Sequence, residues 1–337
     1  MNKLIRSTAI NALAFLSLAL PGTLAAESAG ELNVEITEWT VPWPDTRPRD
    51  PDVAPDGTIW LVGQAGHYVA HFDPDTEAFS RFDLPDGTGP HNVIVAKDGT
   101  LWVAGNRKGW IGEMDPETGE LKTHPMPNED AGDPHTQVFD EAGNIWFTVQ
   151  NGNFIGHLDT SSGAVELAEV PTDGARPYGI NLDSKGKPWI VLLGTNALAT
   201  VDTESMEVTE IALPREDARP RRVVITSDDR VWYVDYAQGY LGVYDPESGE
   251  IEEWKAPSGP SGPYAMAVDV KDRIWFFETR QSPNTLVGFD TKSETFIGSV
   301  PVPSGGGSVR HMVYDPARNS LWFGTDTNNL GKAQLPD

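Results

Sequence analysis

Histidine, aspartate, tyrosine and arginine occur in this 337-residue chain at one recurring distance from tryptophan. Tryptophans stand at 60, 102, 146, 189, 232, 275 and 322. The residues eleven before the last six are His91, His135, Tyr178, Arg221, Tyr264 and His311; in the first copy Asp52, which follows Pro51, is taken as the counterpart. None is apolar. If copies seven and one are neighbours, His311, Asp52, His91 and His135 form an unbroken arc facing Tyr178, Arg221 and Tyr264. Imidazoles and carboxylates in one arc suit either divalent-metal binding or proton transfer near neutral pH.

A second ring lies three residues after each tryptophan: Gly63, Gly105, Val149, Leu192, Asp235, Glu278 and Thr325, in which Asp235 and Glu278 stand out. Asp133, two residues before His135, could orient that imidazole or share a metal with it, or could be an ordinary Asp-Pro turn. Arg221 and Arg222 are an adjacent basic pair in a very acidic chain. They suit an anchor for a substrate carboxylate or another anion, or an internal ion pair with Asp235.

The elements that must hold these residues follow from the same spacing. The tryptophans are 42 to 47 residues apart, so seven copies of a unit near 43 residues are present, which is a propeller period. Within a copy, an X-Pro-X start such as Gly89-Pro90-His91 leads to a β-rich segment. A turn such as Asp98-Gly99 then delivers the tryptophan strand, which makes a hairpin. A third strand ends in an apolar residue plus Asp, as in Met114-Asp115 or Tyr244-Asp245, and a fourth follows a Pro/Thr/Ser/Gly turn. Four strands per copy predict an all-β, seven-bladed β-propeller with four-stranded blades. The seventh copy ends after its third strand, and Asn33–Pro42 reads as an orphan fourth strand that closes the ring; deleting residues 27–45 is expected to cripple folding. No helical period is sustained, and one tryptophan per copy in fixed register reads as blade-to-blade packing.

Bulk properties bound the rest. Lys3 and Arg6, an apolar run from Ala12 to Leu20 and small residues at Ala25 and Ala26 read as a signal peptide over 1–26, leaving one domain over 27–337 in the periplasm or outside the cell. The apolar run is too short for a bilayer, so no membrane insertion is expected. There is no cysteine, and the formal charge of -25 makes nucleic acid a poor partner. A small-molecule partner and a monomer are expected. No G-x-S-x-G, HExxH, P-loop or dinucleotide fingerprint is present.

The repeated pattern X-P-H/Y-x-[IV], then D-G-x-[IL]-W-[FLV], then [IL]-G-x-x-D, seen well in Gly89–Val103, Asp133–Phe147 and Arg176–Ile190, resembles the streptogramin B lyase (virginiamycin B lyase) family of seven-bladed propellers. The resemblance covers essentially the mature chain. It implies elimination at an ester of a cyclic depsipeptide, without water, using a magnesium ion, a base histidine in a Glu-Pro-His motif, a substrate histidine one blade earlier and a second glutamate after the tryptophan. Carried over, His135 is the base, His91 the substrate histidine and Asp133 a metal ligand. The two rings themselves add Asp52, His311 and Glu278 as candidate metal ligands and Arg221, Tyr178 and Tyr264 as candidate substrate contacts. The implied cofactor is a divalent cation, magnesium or calcium. Two departures stand out: Asp133 replaces the first glutamate and Val149 the second. Alignment by chain order would instead select His311 with Val309 and Thr325.

Three functions follow as expectations: a lyase acting on a cyclic ester or related small anionic substrate; a calcium- or zinc-dependent lactonase-like hydrolase using Glu278, Asp235 and Asp52; or a non-catalytic envelope propeller that binds a protein or glycan.

Overall fold

The computed structural model describes residues 32–337; the expected signal segment lies outside the described residues. Seven four-stranded antiparallel sheets follow one another around a ring. Blades one to six are each formed by four consecutive strands, and blade seven by three strands plus the N-terminal strand Glu35–Thr40. That strand pairs with Asn329–Gln334 from Glu35 opposite Gln334 to Thr40 opposite Asn329. Trp39 then stacks on Trp322 at 5.7 Å and meets Phe72 of blade one at 5.1 Å, so one strand stitches two blades together. The closure expected from Asn33–Pro42 is therefore present, and a ring closed this way leaves only the short strand edges of the individual blades.

Burial explains which segments read clearly. The second strands, such as Ile59–Gly63, Leu101–Gly105 and Ile145–Val149, are buried along their whole length because neighbouring blades cover both faces. Their sequences are accordingly near-continuous apolar runs. Fourth strands such as Ala78–Asp83 and Val208–Ala212 lie at the rim, alternate with solvent and read as mixed sequence. All seven repeat tryptophans are buried in the second strands. The indole N–H groups of Trp189 and Trp275 donate to Asp183 and Asp269. Among the described residues the one helical segment is a single 3-10 turn, Glu129–Ala131, capped by Asn128.

The inner strands carry a feature that aims the chemistry. In blade three, Pro134 pairs with Val149 but Gln137 with Phe147, so one extra residue is inserted at His135-Thr136. The same bulge occurs after Pro177, Pro220 and Pro263, and in blade one it falls one step later, between Arg49 and Asp52. A bulge kinks the strand and re-aims a side chain. In blades three to six it falls at the residue that follows the proline and turns that side chain toward the channel.

Candidate functional site

This register places His91, His135, Tyr178, Arg221 and Tyr264 around one cavity of about 500 Å3 at the end of the channel where the inner strands begin. In blade one the position belongs to Arg49. Pro48 opposite Gly63 is the equivalent of Pro134 opposite Val149, and Arg49 is eleven residues before Trp60. Asp52 lies further along its strand, opposite Trp60, and its carboxylate accepts from the backbone N–H of Val53 (2.9 Å) and Val95 (2.8 Å). Burial pushes this carboxyl up to about 6. Asp52 thus pins blade one to blade two, and the arc runs through Arg49 in its place. His311 has the expected register but lines a second, smaller cavity deeper among the inner strands, of about 270 Å3.

Between the two cavities the channel is filled by a buried charge cluster around Asp50, a fully buried residue with a left-handed backbone (φ 45°). Its carboxylate accepts from Arg49 Nε at 2.9 Å and lies 3.5 Å from Arg222 Nη2 and 3.6 Å from His91 Nδ1. Burial alone would raise this carboxyl, but Arg49, His311 and Arg222 together hold it well below the usual range. Arg222 also donates to Thr136 Oγ1 (3.2 Å) and to the Arg310 carbonyl (3.1 Å), tying blades one, three, five and seven at the axis. Gly324 permits the close approach of blade seven to blade one: a Cβ there would lie 2.4 Å from the Pro48 carbonyl oxygen and 2.7 Å from Arg49 Cα.

Above this plug the imidazoles of His91 and His135 are in contact, with centroids 3.4 Å apart and planes tilted by 36°, and His135 meets the Tyr178 ring at 4.2 Å. His91 is 4 % and His135 2 % exposed. Burial first, then the nearby guanidinium groups of Arg49 and Arg222, hold both well below the ordinary histidine range, so both are neutral at pH 7. His135 Nδ1 is 2.9 Å from Thr136 Oγ1, while His91 Nδ1 has no hydrogen-bond partner in the protein. Tyr178 and Tyr264 share a short hydroxyl–hydroxyl hydrogen bond. Burial raises Tyr178, and the adjoining Tyr264 raises it further. In Tyr264 burial is outweighed by Arg221, Arg222 and Arg49, so it is the more acidic of the pair.

The acidic candidates are committed to the scaffold. Asp133 accepts from the Asn151 N–H (2.8 Å), the Asn151 side-chain amide (2.7 Å) and the Gly152 N–H (3.0 Å), which is the turn reading of that residue. Glu278 accepts from the Ser258 N–H and from the hydroxyls of Ser258 and Ser261. Asp235 accepts from Arg215 and from the Arg219 and Ala237 N–H groups, so its ion pair is with Arg215 and not with Arg221. Val149 is fully buried in the apolar core. Among the described residues no three His, Asp or Glu side chains converge on a common point. A hard cation that needs about six oxygen ligands does not fit this donor set, and the guanidinium groups around the cavity add to the mismatch.

The unforeseen feature is how many arginines join Arg221. Arg47, Arg49, Arg176, Arg219, Arg221, Arg280 and Arg310 line the cavity, against one acid, Asp133. Arg47, Arg176 and Arg219 directly precede Pro48, Pro177 and Pro220, two residues before the position that carries the histidines, so this ring is visible in the sequence as soon as the register is moved back by two.

Fold and site together define a seven-bladed propeller with a small-molecule-sized, basic channel mouth floored by neutral histidines. Residues 24–282 match the Virginiamycin B lyase family, and the chain belongs to it. It is similar to the crystal structure of virginiamycin B lyase from Staphylococcus aureus (24% identity, TM-score 0.82, covering 90% of this chain and 100% of that one). It is similar also to a streptogramin B lyase structure (23%, TM-score 0.81, 90% and 98%). A catalytically inactive histidine-to-alanine variant of the S. aureus enzyme with quinupristin matches at 25% identity and TM-score 0.82, over 90% of this chain and 100% of that one. Comparison with curated proteins finds no match.

Proposed function

We propose that this protein is a streptogramin lyase-like C–O lyase, exported as its N-terminal segment suggests, that acts on a small ester-type substrate at the arginine-lined mouth. One observation carries the reading: two adjoining, buried and neutral imidazoles, His91 and His135, face a cavity large enough for such a substrate. In this reading His135 Nε2 takes the proton α to the substrate carbonyl, the Cα–Cβ double bond forms, the Cβ–O bond breaks, and the oxygen leaves with its electron pair as a carboxylate. That role requires His135 Nδ1–H to donate to Thr136 Oγ1, which fixes the ring. An imidazole whose conjugate acid is this acidic is a weak base, so the burden falls on stabilising the developing enolate. Arg49 and Arg221, with the Tyr264 hydroxyl, are the preorganised groups that supply it, in the place where a family lyase would use a metal ion.

The membership in the family and the match of fold support this class over the lactonase reading, whose three carboxylates are separately engaged. The test is mass spectrometry of products from cyclic and linear ester substrates in 18O water. Elimination gives an unsaturated product without 18O, and His135→Ala lowers kcat/KM by 10^2-fold or more with the fold intact. Incorporation of 18O would reassign the site to hydrolysis, and an unchanged rate in His135→Ala would remove the base.

A further inference from the structure

The arginines of the mouth occupy five consecutive blades, four to seven and one, with the histidines of blades two and three closing the ring, and they fall into two banks by their pairing. Arg310, Arg47 and Arg49 come from blades seven and one, and Arg219, Arg221 and Arg280 from blades five and six; Arg176 of blade four extends the second bank. The first bank is partly neutralised: Arg310 and Arg47 reach Asp326 at 2.6 and 3.3 Å, and Arg49 reaches Asp50. In the second bank no guanidinium has a carboxylate partner among the described residues. Arg219 and Arg280 donate to backbone carbonyls and Arg176 to the Asn151 amide oxygen. Arg221 has its Nε buried without an acceptor and lies over the rings of Tyr236 (3.8 Å) and Tyr264 (4.7 Å); Arg280 also lies over Tyr236, at 4.4 Å.

We infer that the mouth recognises a small organic polyanion, with one oxyanion group anchored on Arg219, Arg221 and Arg280 and a second on Arg49 and Arg310. The inference rests on the lyase reading only in sharing its cavity, and it names the class of substrate. Four observations converge on it. In a chain of net charge -25, seven arginines against one acid around one cavity is charge placed where repulsion opposes it. The second bank has no internal counter-charge. Buried nitrogens of Arg49 (Nη2), Arg221 (Nε) and Arg310 (Nε) find no acceptor in the protein, so these guanidinium groups are not fully satisfied within the fold. Finally, Arg47 and Arg176 hold left-handed backbones (φ 52° and 58°) at the pre-proline position where blades two and six use Gly89 and Gly262 (φ 50° and 67°). Arginine has been kept where glycine would be unstrained, as happens when the side chain is needed. The aromatic faces under Arg221 and Arg280 restrain the guanidinium planes, which suits the fork-shaped recognition of carboxylate, phosphate or sulfate oxygens.

The test is calorimetric titration of the mature protein with citrate, a hexuronate disaccharide, inorganic phosphate and a neutral lactone, at two salt concentrations, alongside the elimination assay. The expected result is binding of one of the organic polyanions that is at least tenfold tighter than phosphate or the neutral lactone and weakens with salt; citrate over the hexuronate identifies a compact polycarboxylate, the reverse a sugar acid. Arg221→Gln with Arg280→Gln should weaken it at least tenfold. Arg176→Gly guards against misfolding as an explanation: it relieves a left-handed backbone, so Tm should hold or rise while affinity falls. No polyanion binding at millimolar concentration, or binding unchanged in both variants, overturns the inference. Turnover of a neutral ester without polyanion binding leaves the lyase reading standing and sinks this one; polyanion binding without elimination does the reverse.

Discussion

The rim turns and the channel mouth use charged side chains in opposite ways. At the end of each third strand an aspartate occupies the same place in six blades: Asp73, Asp115, Asp159, Asp202, Asp245 and Asp290. Each accepts from the backbone N–H two residues on in its own turn. Around the channel, one register carries Arg49, His91, His135, Tyr178, Arg221, Tyr264 and His311, so its side-chain chemistry changes from blade to blade except between His91 and His135. A residue type that repeats with the blade is serving the blade. A position whose backbone repeats while its side chain changes is serving something that lacks sevenfold symmetry, and a bound small molecule is such an object.

The comparison can be broken most drastically where repetition itself is interrupted. Deleting residues 27–45 removes the strand that completes blade seven together with Trp39, and exposes both the edge of Asn329–Gln334 and the packing surface of Trp322. Loss of the cooperative thermal transition is expected; a melt like that of the intact chain would show that the ring holds without closure. Next comes the plug. Asp50→Asn keeps the shape but leaves Arg49 and Arg222 buried without their shared counter-charge. Breaking such a buried pair costs about 3–5 kcal/mol, read as a shift in the urea midpoint. A near-neutral result would mean that the mouth arginines are not electrostatically coupled to the axis.

How much was legible in the sequence follows the same division. Blade number, four-strand order and ring closure could all be read because each rests on a feature copied seven times or on its one interruption. The mouth was legible where it obeyed the common register, which brought His91, His135, Tyr178, Arg221 and Tyr264 together. It failed at Asp52, where following the Pro51 motif in place of the tryptophan spacing concealed Arg49 and, beside it, Asp50. At Asp133 and Glu278 residue type alone did not reveal that loop N–H groups and serine hydroxyls engage the carboxylates. His311 had the right register, yet depth along the channel, set by a plug built from four blades, put it on the far side.

A smaller effect sharpens the contrast through acid titration. His91, His135 and His311 are neutral when folded, the last with its pKa down at about 4 through burial and Arg222, while each has a pKa near 6.5 when unfolded. Groups of depressed histidine pKa bind more protons unfolded, so their stability is complete above pH 6.5 and is lost as pH falls below it. Asp52, raised to about 6, opposes one of the three, because between pH 6 and 4 it is protonated only in the folded state. The histidines outnumber Asp52, so stability should fall as pH drops from 6 toward 4. Urea denaturation across that range measures it, and a flat profile would place the imidazoles in water. For the same reason the pH–rate profile of the proposed elimination should stay level from pH 8 to 6 and fall only in acid.

The smallest effect belongs to a single rim aspartate, and it separates the two regions most cleanly. Asp159 accepts from the Ser161 hydroxyl (2.7 Å) and from the N–H groups of Ser161 (2.9 Å) and Ser162 (3.0 Å), which hold its carboxyl down at about 2. It is a surface group whose task is shared by five equivalents, so Asp159→Ala should cost one turn its cap and lower Tm slightly. It touches neither the channel nor the plug, so polyanion affinity and elimination should be unchanged. Arg221→Gln should give the mirror image, with little change in Tm and a large fall in affinity. If Asp159→Ala instead weakened binding as much as Arg221→Gln, the acidic rim would be part of the recognition surface, and the rule that repeated residues serve only the blade would fail at its clearest example.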